Sequence, residues 1–234
     1  MRAIKLLLAG CAAIAITAHV QAQTADEVVS KYVTAIGGAD NWKKVNSIRK
    51  EGSFNVQGQD VNITITVLHN KGMRQDISVA GMSGYVIISP TSGSTFLPFQ
   101  GQTEPQPTPA DALKLAQDAI DAQDVLVDYK AKGHSVELAG KETIDGTECF
   151  KLIVTLNSGK KITDFFDAKT GYLVRKIAKQ MVNGQEMEQA TSYSNFQKLA
   201  EGIVMPMTLI QPFGEITLSK VEINKPVDES IFKG

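Results

Sequence analysis

Residues 61–67 read Val-Asn-Ile-Thr-Ile-Thr-Val. Branched apolar side chains at 61, 63, 65 and 67 alternate with Asn62, Thr64 and Thr66. A period of two sends successive side chains to opposite faces, so this is a strand with one face buried and one wet. Such a strand needs neighbours, and the flanking sequence supplies them. Phe54 and Val56 lead into a turn at Gly58, MRQDISV follows Asn70-Lys71-Gly72, and YVIIS follows Gly81–Gly84. Consecutive strands joined by short polar turns pair antiparallel.

The same texture returns at His134 and continues to the end. HSVELAGKETI and ECFKLIVTL flank Asp145-Gly146, and GKKITDFFDAKTG meets YLVRKIAKQM at Thr170-Gly171. EMEQATSYSNF follows Asn183-Gly184, and IVMPMTLI and EITLSKVEI surround Phe213-Gly214. Pro206 asks for an edge or a bulge, because proline donates no ladder hydrogen bond. About 10–11 strands are expected, in one domain without a linker-like break.

Three insertions read as helical. Thr24 with Glu27 is a capping box, followed by Val28, Val29, Tyr32, Val33 and Ile36 at helical spacing and a stop at Gly37-Gly38. Asp40 is placed to cap a short second helix carrying Trp42 and Val45. Prolines at 90, 98, 105, 107 and 109 exclude regular structure over 90–109. Thr108 and Pro109 then suit the start of a third helix, DALKLAQDAIDAQ, with Leu113, Ala116 and Ile120 on its apolar face.

The first 22 residues have the plan of an export signal: Arg2 and Lys5, an apolar run from Leu6 to Ala18, then Val20 and Ala22 before Gln23. LAGC at 8–11 also resembles a lipidation site, but the apolar segment before Cys11 is short and the AAIAITA behind it is no polar tether. Cleavage before Gln23 is the expectation, giving a signal peptide at 1–22 and a domain at 23–234. The signal removes two of the 24 basic residues and none of the 25 acidic ones, leaving a formal charge of about −3. No nucleic-acid footprint follows from that balance. Cys149 would then be the sole cysteine, and it sits in a strand-like apolar run as a buried small hydrophobe.

Little points to catalysis. His69 and His134 belong to no metal-ligand spacing and are expected to be exposed and inert. Asp164 and Asp167, three apart on a strand, face opposite ways, and Asp167 suits a turn role in DAKTG. No catalytic residue, metal or cofactor is implied, and a hydrolase would need polar groups converging in a cavity. Apolar side chains do stand in awkward places: Phe96, Leu97 and Phe99 in a loop-like segment, Met181 near a hairpin tip, and Met205 and Met207 beside Pro206. Flexible methionines suit a cavity that accepts chains of varied length.

ADEVVSKYVTAIGGADNWKKVNSIRKEGSF, MRQDI, FFDAKTGYLVRKI and VEINKPVDESIF, in that order, resemble the LolA/LolB-like superfamily of outer-membrane lipoprotein-sorting carriers and their diverged relatives. The resemblance runs over residues 24–233. It implies a mainly β (α+β) fold, a single-domain half-open antiparallel β-barrel with helices covering the concave face. It further implies a monomeric periplasmic carrier of lipid or lipoprotein acyl chains, not an enzyme, with transfer partners in the inner and outer membranes. The alternative is a periplasmic sensor or interaction domain that uses the same half-barrel to bind a protein segment or lipid as a signal. An early-strand arginine latches the lid in sorting carriers; Arg49 and Arg74 are the positions here, with Arg74 the better placed. The cavity and lid residues expected are Arg74, Phe96, Leu97, Phe99, Leu113, Ala116, Ile120, Met181, Met205 and Met207.

Overall fold

The computed structural model describes residues 23–182 and 185–233, without the side chains of 180–186. The export signal, Cys11, the Asn183-Gly184 turn and the side chain of Met181 lie outside the described residues.

The alternating segment is β2 (Gln59–Leu68), in the run β1 (Ser47–Val56), β2, β3 (Gly72–Val79) and β4 (Met82–Ile88). The second half contributes β7 (Ser135–Ile144), β8 (Thr147–Thr155), β9 (Lys161–Asp167), β10 (Leu173–Val182), β11 (Gln185–Lys198), β12 (Val204–Gln211) and β13 (Gly214–Ile223). Asp145 and Gly146, both at positive φ, make the expected tight turn. The proline-rich segment departs from expectation. It contains two more strands, β5 (Gly93–Phe96) and β6 (Gln106–Pro107), and a 3-10 turn, Pro98–Gln100. Here β6 is the sheet edge, where Pro107 lacks an amide at no cost to a central ladder. Among the described residues the strand count is therefore 13.

All strands form one antiparallel sheet in the order β6-β5-β4-β3-β2-β1-β13-β12-β11-β10-β9-β8-β7. Among the described residues β6 and β7 pair with nothing on their outer sides, so the barrel is open. Pro206 lies in an interior strand, but the β12–β13 ladder covers only Thr208–Gln211, so the proline stands where that ladder is missing.

Helix α1 (Ala25–Ala35) has the expected capping box: Thr24 Oγ1 accepts from the Glu27 amide at 3.2 Å, and Glu27 Oε2 accepts from the Thr24 amide at 2.8 Å. It drops Val28, Val29 and Tyr32 onto Ile48, Val67, Leu152, Ile162 and Phe166, which come from both flanks of the sheet. A single helix can touch both flanks only if the sheet curls round it. At the helix end a side chain on Gly37 would meet the Gly202 carbonyl at 2.2 Å, and Val204 N–H donates to the Ile36 carbonyl at 2.8 Å. Glycine is what lets the helix end dock on the β11–β12 connection. Helix α2 (Ala39–Trp42) carries Trp42, whose indole N–H donates to the Ile36 carbonyl at 3.0 Å; its cap is Gly38, not Asp40.

The third helix is shorter than its periodicity suggests. Helix α3 spans Ala110–Leu115, and the backbone then tightens to a 3-10 turn, Gln117–Ile120. Pro109, without a side-chain bond, occupies the cap position. Of the apolar face only Ile120 is buried, and Leu115 is 46 % exposed. The following connector, residues 121–134, instead supplies Ala122, Leu126, Val127 and Tyr129 to the core.

Candidate functional site

The strands that curl round α1 continue beyond it, and there, among the described residues, no helix covers the concave face. Phe54, Ile63, Ile77, Leu209, Ile216 and Leu218 wall a cavity of about 490 Å³. Pairing puts these residues on one face: Phe54 opposes Val61, Gly52 opposes both Ile63 and Leu218, Ile63 opposes Ile77, and Leu209 opposes Ile216. The Phe54 and Phe213 rings, 5.3 Å apart, mark the outer end beside the β12–β13 hairpin. Lys50, Gln75, Gln189 and Tyr193 line the same cavity.

Below this inner end lies a buried polar cluster that sequence reasoning missed. Asp164, 1 % exposed, lies 3.2 Å from the Lys176 ammonium through Oδ1, and its Oδ2 accepts from Lys176 at 3.4 Å. The Oδ1 contact is an ion pair without hydrogen-bond alignment. Asp124 accepts from Tyr32 Oη at 2.7 Å and from the Leu126 amide at 2.9 Å. Burial raises the Asp164 pKa against the pull of Lys176. It lowers that of Lys50, which Asp124 offsets only in part. For Lys176, burial is outweighed by attraction to Asp164, Tyr193 and Asp124, and the pKa rises. Tyr32 is pushed up by burial first and by Asp124 second, and burial pushes Tyr193 up against the pull of Lys176. Two lysines and two aspartates thus balance in charge. The only sequence signal was a carboxylate and a lysine at even positions of paired strands, which is equally common on wet faces.

The expected cavity and lid residues fall in several places. Met205 lines the cavity; Met207 is buried on the same strand without lining it. Arg74 is on the opposite face of the sheet, because Gln75 and Ile77 are the β3 residues that line the cavity. There its guanidinium bonds Asp76 at 2.8 Å and the Ile231 carbonyl at 3.2 Å and lies over the Tyr85 ring. It fastens the C-terminal segment, with Phe232 seated against Gly72. Arg49 likewise pairs with Glu51 and Glu222. Phe96 packs against Tyr85 on the Arg74 face. Leu97 and Phe99 cross above Gly84, whose missing side chain leaves room for them. Leu113 and Ala116 are half-buried and line neither cavity.

Ile120 belongs to a second concavity of about 500 Å³ at the other end of the molecule, shared with His69, Asp121, Lys132 and His134. The two histidines, expected to be exposed and inert, are partly buried and line this same concavity. Asn157 N–H donates to His134 Nδ1 at 3.0 Å, and His69 Nδ1 lies 3.1 Å from Asp121 Oδ1 without hydrogen-bond alignment. Lys132 pairs with Asp121 and Lys160 with Asp118, so the polar groups at this end are mostly spent on one another. Among the described residues no group of three or more His, Cys, Asp and Glu could hold a metal ion. Cys149 is fully buried, as expected, and burial raises its pKa. Asp167 fills its expected turn role, accepting from the Lys169 and Thr170 amides and the Thr170 hydroxyl.

Known structures share the fold of this open antiparallel half-barrel. A LolA superfamily protein from Nitrosomonas europaea superposes with a TM-score of 0.57 at 13% identity, over 91% of this chain and 99% of that one. The chain has a LolA-like fold. A DUF1329 family protein from Desulfovibrio piger matches at TM-score 0.54 and 16% identity, over 88% of this chain and 97% of that one. A domain from Vibrio parahaemolyticus described as an outer membrane lipoprotein-sorting protein matches at 0.52 and 12%, over 88% and 95%. No family model matches the LolA-like chain, and the comparison with curated proteins finds no match. Among the described residues no helix is long and apolar enough to cross a membrane.

Proposed function

We propose that this chain is an exported periplasmic carrier that shelters the acyl chains of a lipid or lipoprotein in the hollow end of its half-barrel. The observation that carries the proposal is the cavity of about 490 Å³ walled by aliphatic and aromatic side chains. Burying a chain there is favourable by about 0.8 kcal/mol per CH2 group, and no covalent step is needed. The fold it shares with a lipoprotein-sorting domain supports the same reading.

Catalysis fits the polar cluster poorly. Asp164 is tied to Lys176 and the Tyr32 hydroxyl to Asp124, and both tyrosines are harder to ionise than usual, the reverse of what a nucleophile needs. Outer- and inner-membrane partners would load and unload the carrier, which acts as a monomer.

Intact mass on protein exported by a Gram-negative host tests the proposal. Under denaturing conditions the chain is expected to begin at Gln23; a triacylated Cys11 would overturn export without an anchor. Under native conditions an acyl- or phospholipid-sized addition that is lost on denaturation is expected. A bare chain recovered from that lipid-rich compartment would count against the carrier.

A further inference from the structure

The inner end of the apolar cavity carries a cation that the fold leaves unused. Lys50 lies on the cavity face of β1, between Ile48, which packs in the α1 core, and Phe54 at the outer end. Its register partners are Ile65 and Val221, which offer no charge. Among the described residues its ammonium has neither a hydrogen bond nor an ion pair, while every neighbouring charge in the cluster is engaged. Lys176 holds Asp164, and Asp124 holds Tyr32 and the Leu126 amide. Asp124 acts on Lys50 only through space, and burial still lowers the lysine's pKa. A cation partly withdrawn from water without a directly bonded counter-charge is costly, and an anion brought against it offsets that cost. Gln75, Gln189 and Tyr193, lining the same cavity, can donate further hydrogen bonds without adding charge.

Resting on the acyl-binding proposal, the geometry points to a specific ligand class: a single-chain amphiphile with a carboxylate head. It enters head first, Lys50 anchors the carboxylate, and the chain runs past Ile63, Ile77 and Ile216 to the Phe54–Phe213 end. One unpaired ammonium matches one negative charge. A phosphate monoester, at about −1.5 to −2, would overcharge a site that already has Asp124 and Asp164 behind it. The cavity volume is in the range of about 300–1,000 Å³ that holds one small ligand, not a bundle of three chains. A lipoprotein, whose head is a whole protein, cannot enter in this direction.

Calorimetric titration of the delipidated exported protein with hexadecanoate, hexadecan-1-ol and hexadecyl phosphate, each below its micelle concentration, tests this. Hexadecanoate is expected to bind on the order of 10- to 100-fold tighter than the alcohol, as a charge-assisted hydrogen bond in a sheltered site provides. Lys50→Met, checked by its melting curve for a native fold, is expected to erase that preference and keep alcohol binding. Equal binding of acid and alcohol by the unaltered protein would overturn the anchor and leave the carrier standing. So would a preference that survives Lys50→Met. Tighter binding of the phosphate than of the carboxylate would overturn the head-group assignment. If none of the three binds, the carrier proposal itself fails and takes this inference with it.

Discussion

The two ends of the concave face are built from the same strands and filled in opposite ways. At one end Ile48 and Val67 join a large core with α1, α2 and the 121–134 connector, where Tyr32 and Phe166 pack at 4.8 Å between ring centres. At the other, Val61, Ile63 and Ile216 cluster only with sheet residues such as Phe54, Ile77 and Leu209. Along β1 the change takes only the few residues from Ile48 to Phe54, with Lys50 at the boundary. The strand pattern is alike on both sides of that boundary. What distinguishes a core from a binding cavity here is whether the chain sends a helix back to cover it.

Substitutions at the two ends should therefore behave differently. Phe166→Ala, at a position 1 % exposed, is expected to cost about 3–5 kcal/mol in denaturant unfolding, as deleting a buried ring does. A loss under 1 kcal/mol would mean the filled end is not the stabilising one. Lys50→Met should act in the opposite sense. Removing a partly buried cation that has no bonded partner is expected to stabilise by about 1 kcal/mol, raising Tm by about 2–4 °C. A fall in Tm would show that Lys50 serves the fold. Phe213→Ala, at a position 43 % exposed, is expected to leave stability within about 0.5 kcal/mol while weakening hexadecanoate binding. An unchanged affinity would remove Phe213 from the path of the chain.

The smallest effect belongs to the distal concavity. His134 accepts the Asn157 amide through Nδ1 and must be neutral to do so. Burial first and Lys132 second lower its pKa below the ordinary 6.5. The folded state thus binds this proton less readily than the unfolded chain, so the contribution is complete above 6.5 and is lost as pH falls toward the folded value. Unfolding midpoints measured across that window should decline slightly, and His134→Asn should flatten the decline; an unchanged slope would exclude His134 as its source.

Much of this architecture is legible in the sequence, because alternation and turn residues act locally. The β1–β4 run, the capping box of α1 and the Asp145-Gly146 turn follow from residues a few positions apart. The 90–109 segment is not legible: proline forbids a central strand, and only the sheet shows that Pro107 is at an edge. The third helix overstates itself, since its apolar face is regular but only Ile120 of that face is buried. For the site, Met205 is legible as an apolar residue out of place. Lys50 is hidden in IRKE, where it reads as one more solvated charge, and its place in the cavity depends on the curl of the sheet that brings Tyr193 and Met205 to the same hollow. Arg74 misleads by one position, and one position in a strand is the whole difference between lining the cavity and fastening the tail.

The sheet order also has a consequence for how the chain assembles. Strands β1–β6 form one meander and β7–β13 another, each of neighbours in sequence, while the seam between them pairs Ile48 with Ile223. Either meander can zip from its own hairpins, but the seam must close a loop of most of the chain, and such closures come late. Amides at the β1–β13 junction are thus expected to gain exchange protection after those of the β7–β8 hairpin during refolding. Because Lys50 is in that seam and the cavity walls come from both meanders, the binding site does not exist until the last seam is sewn, so a half-folded chain has nothing with which to hold a lipid.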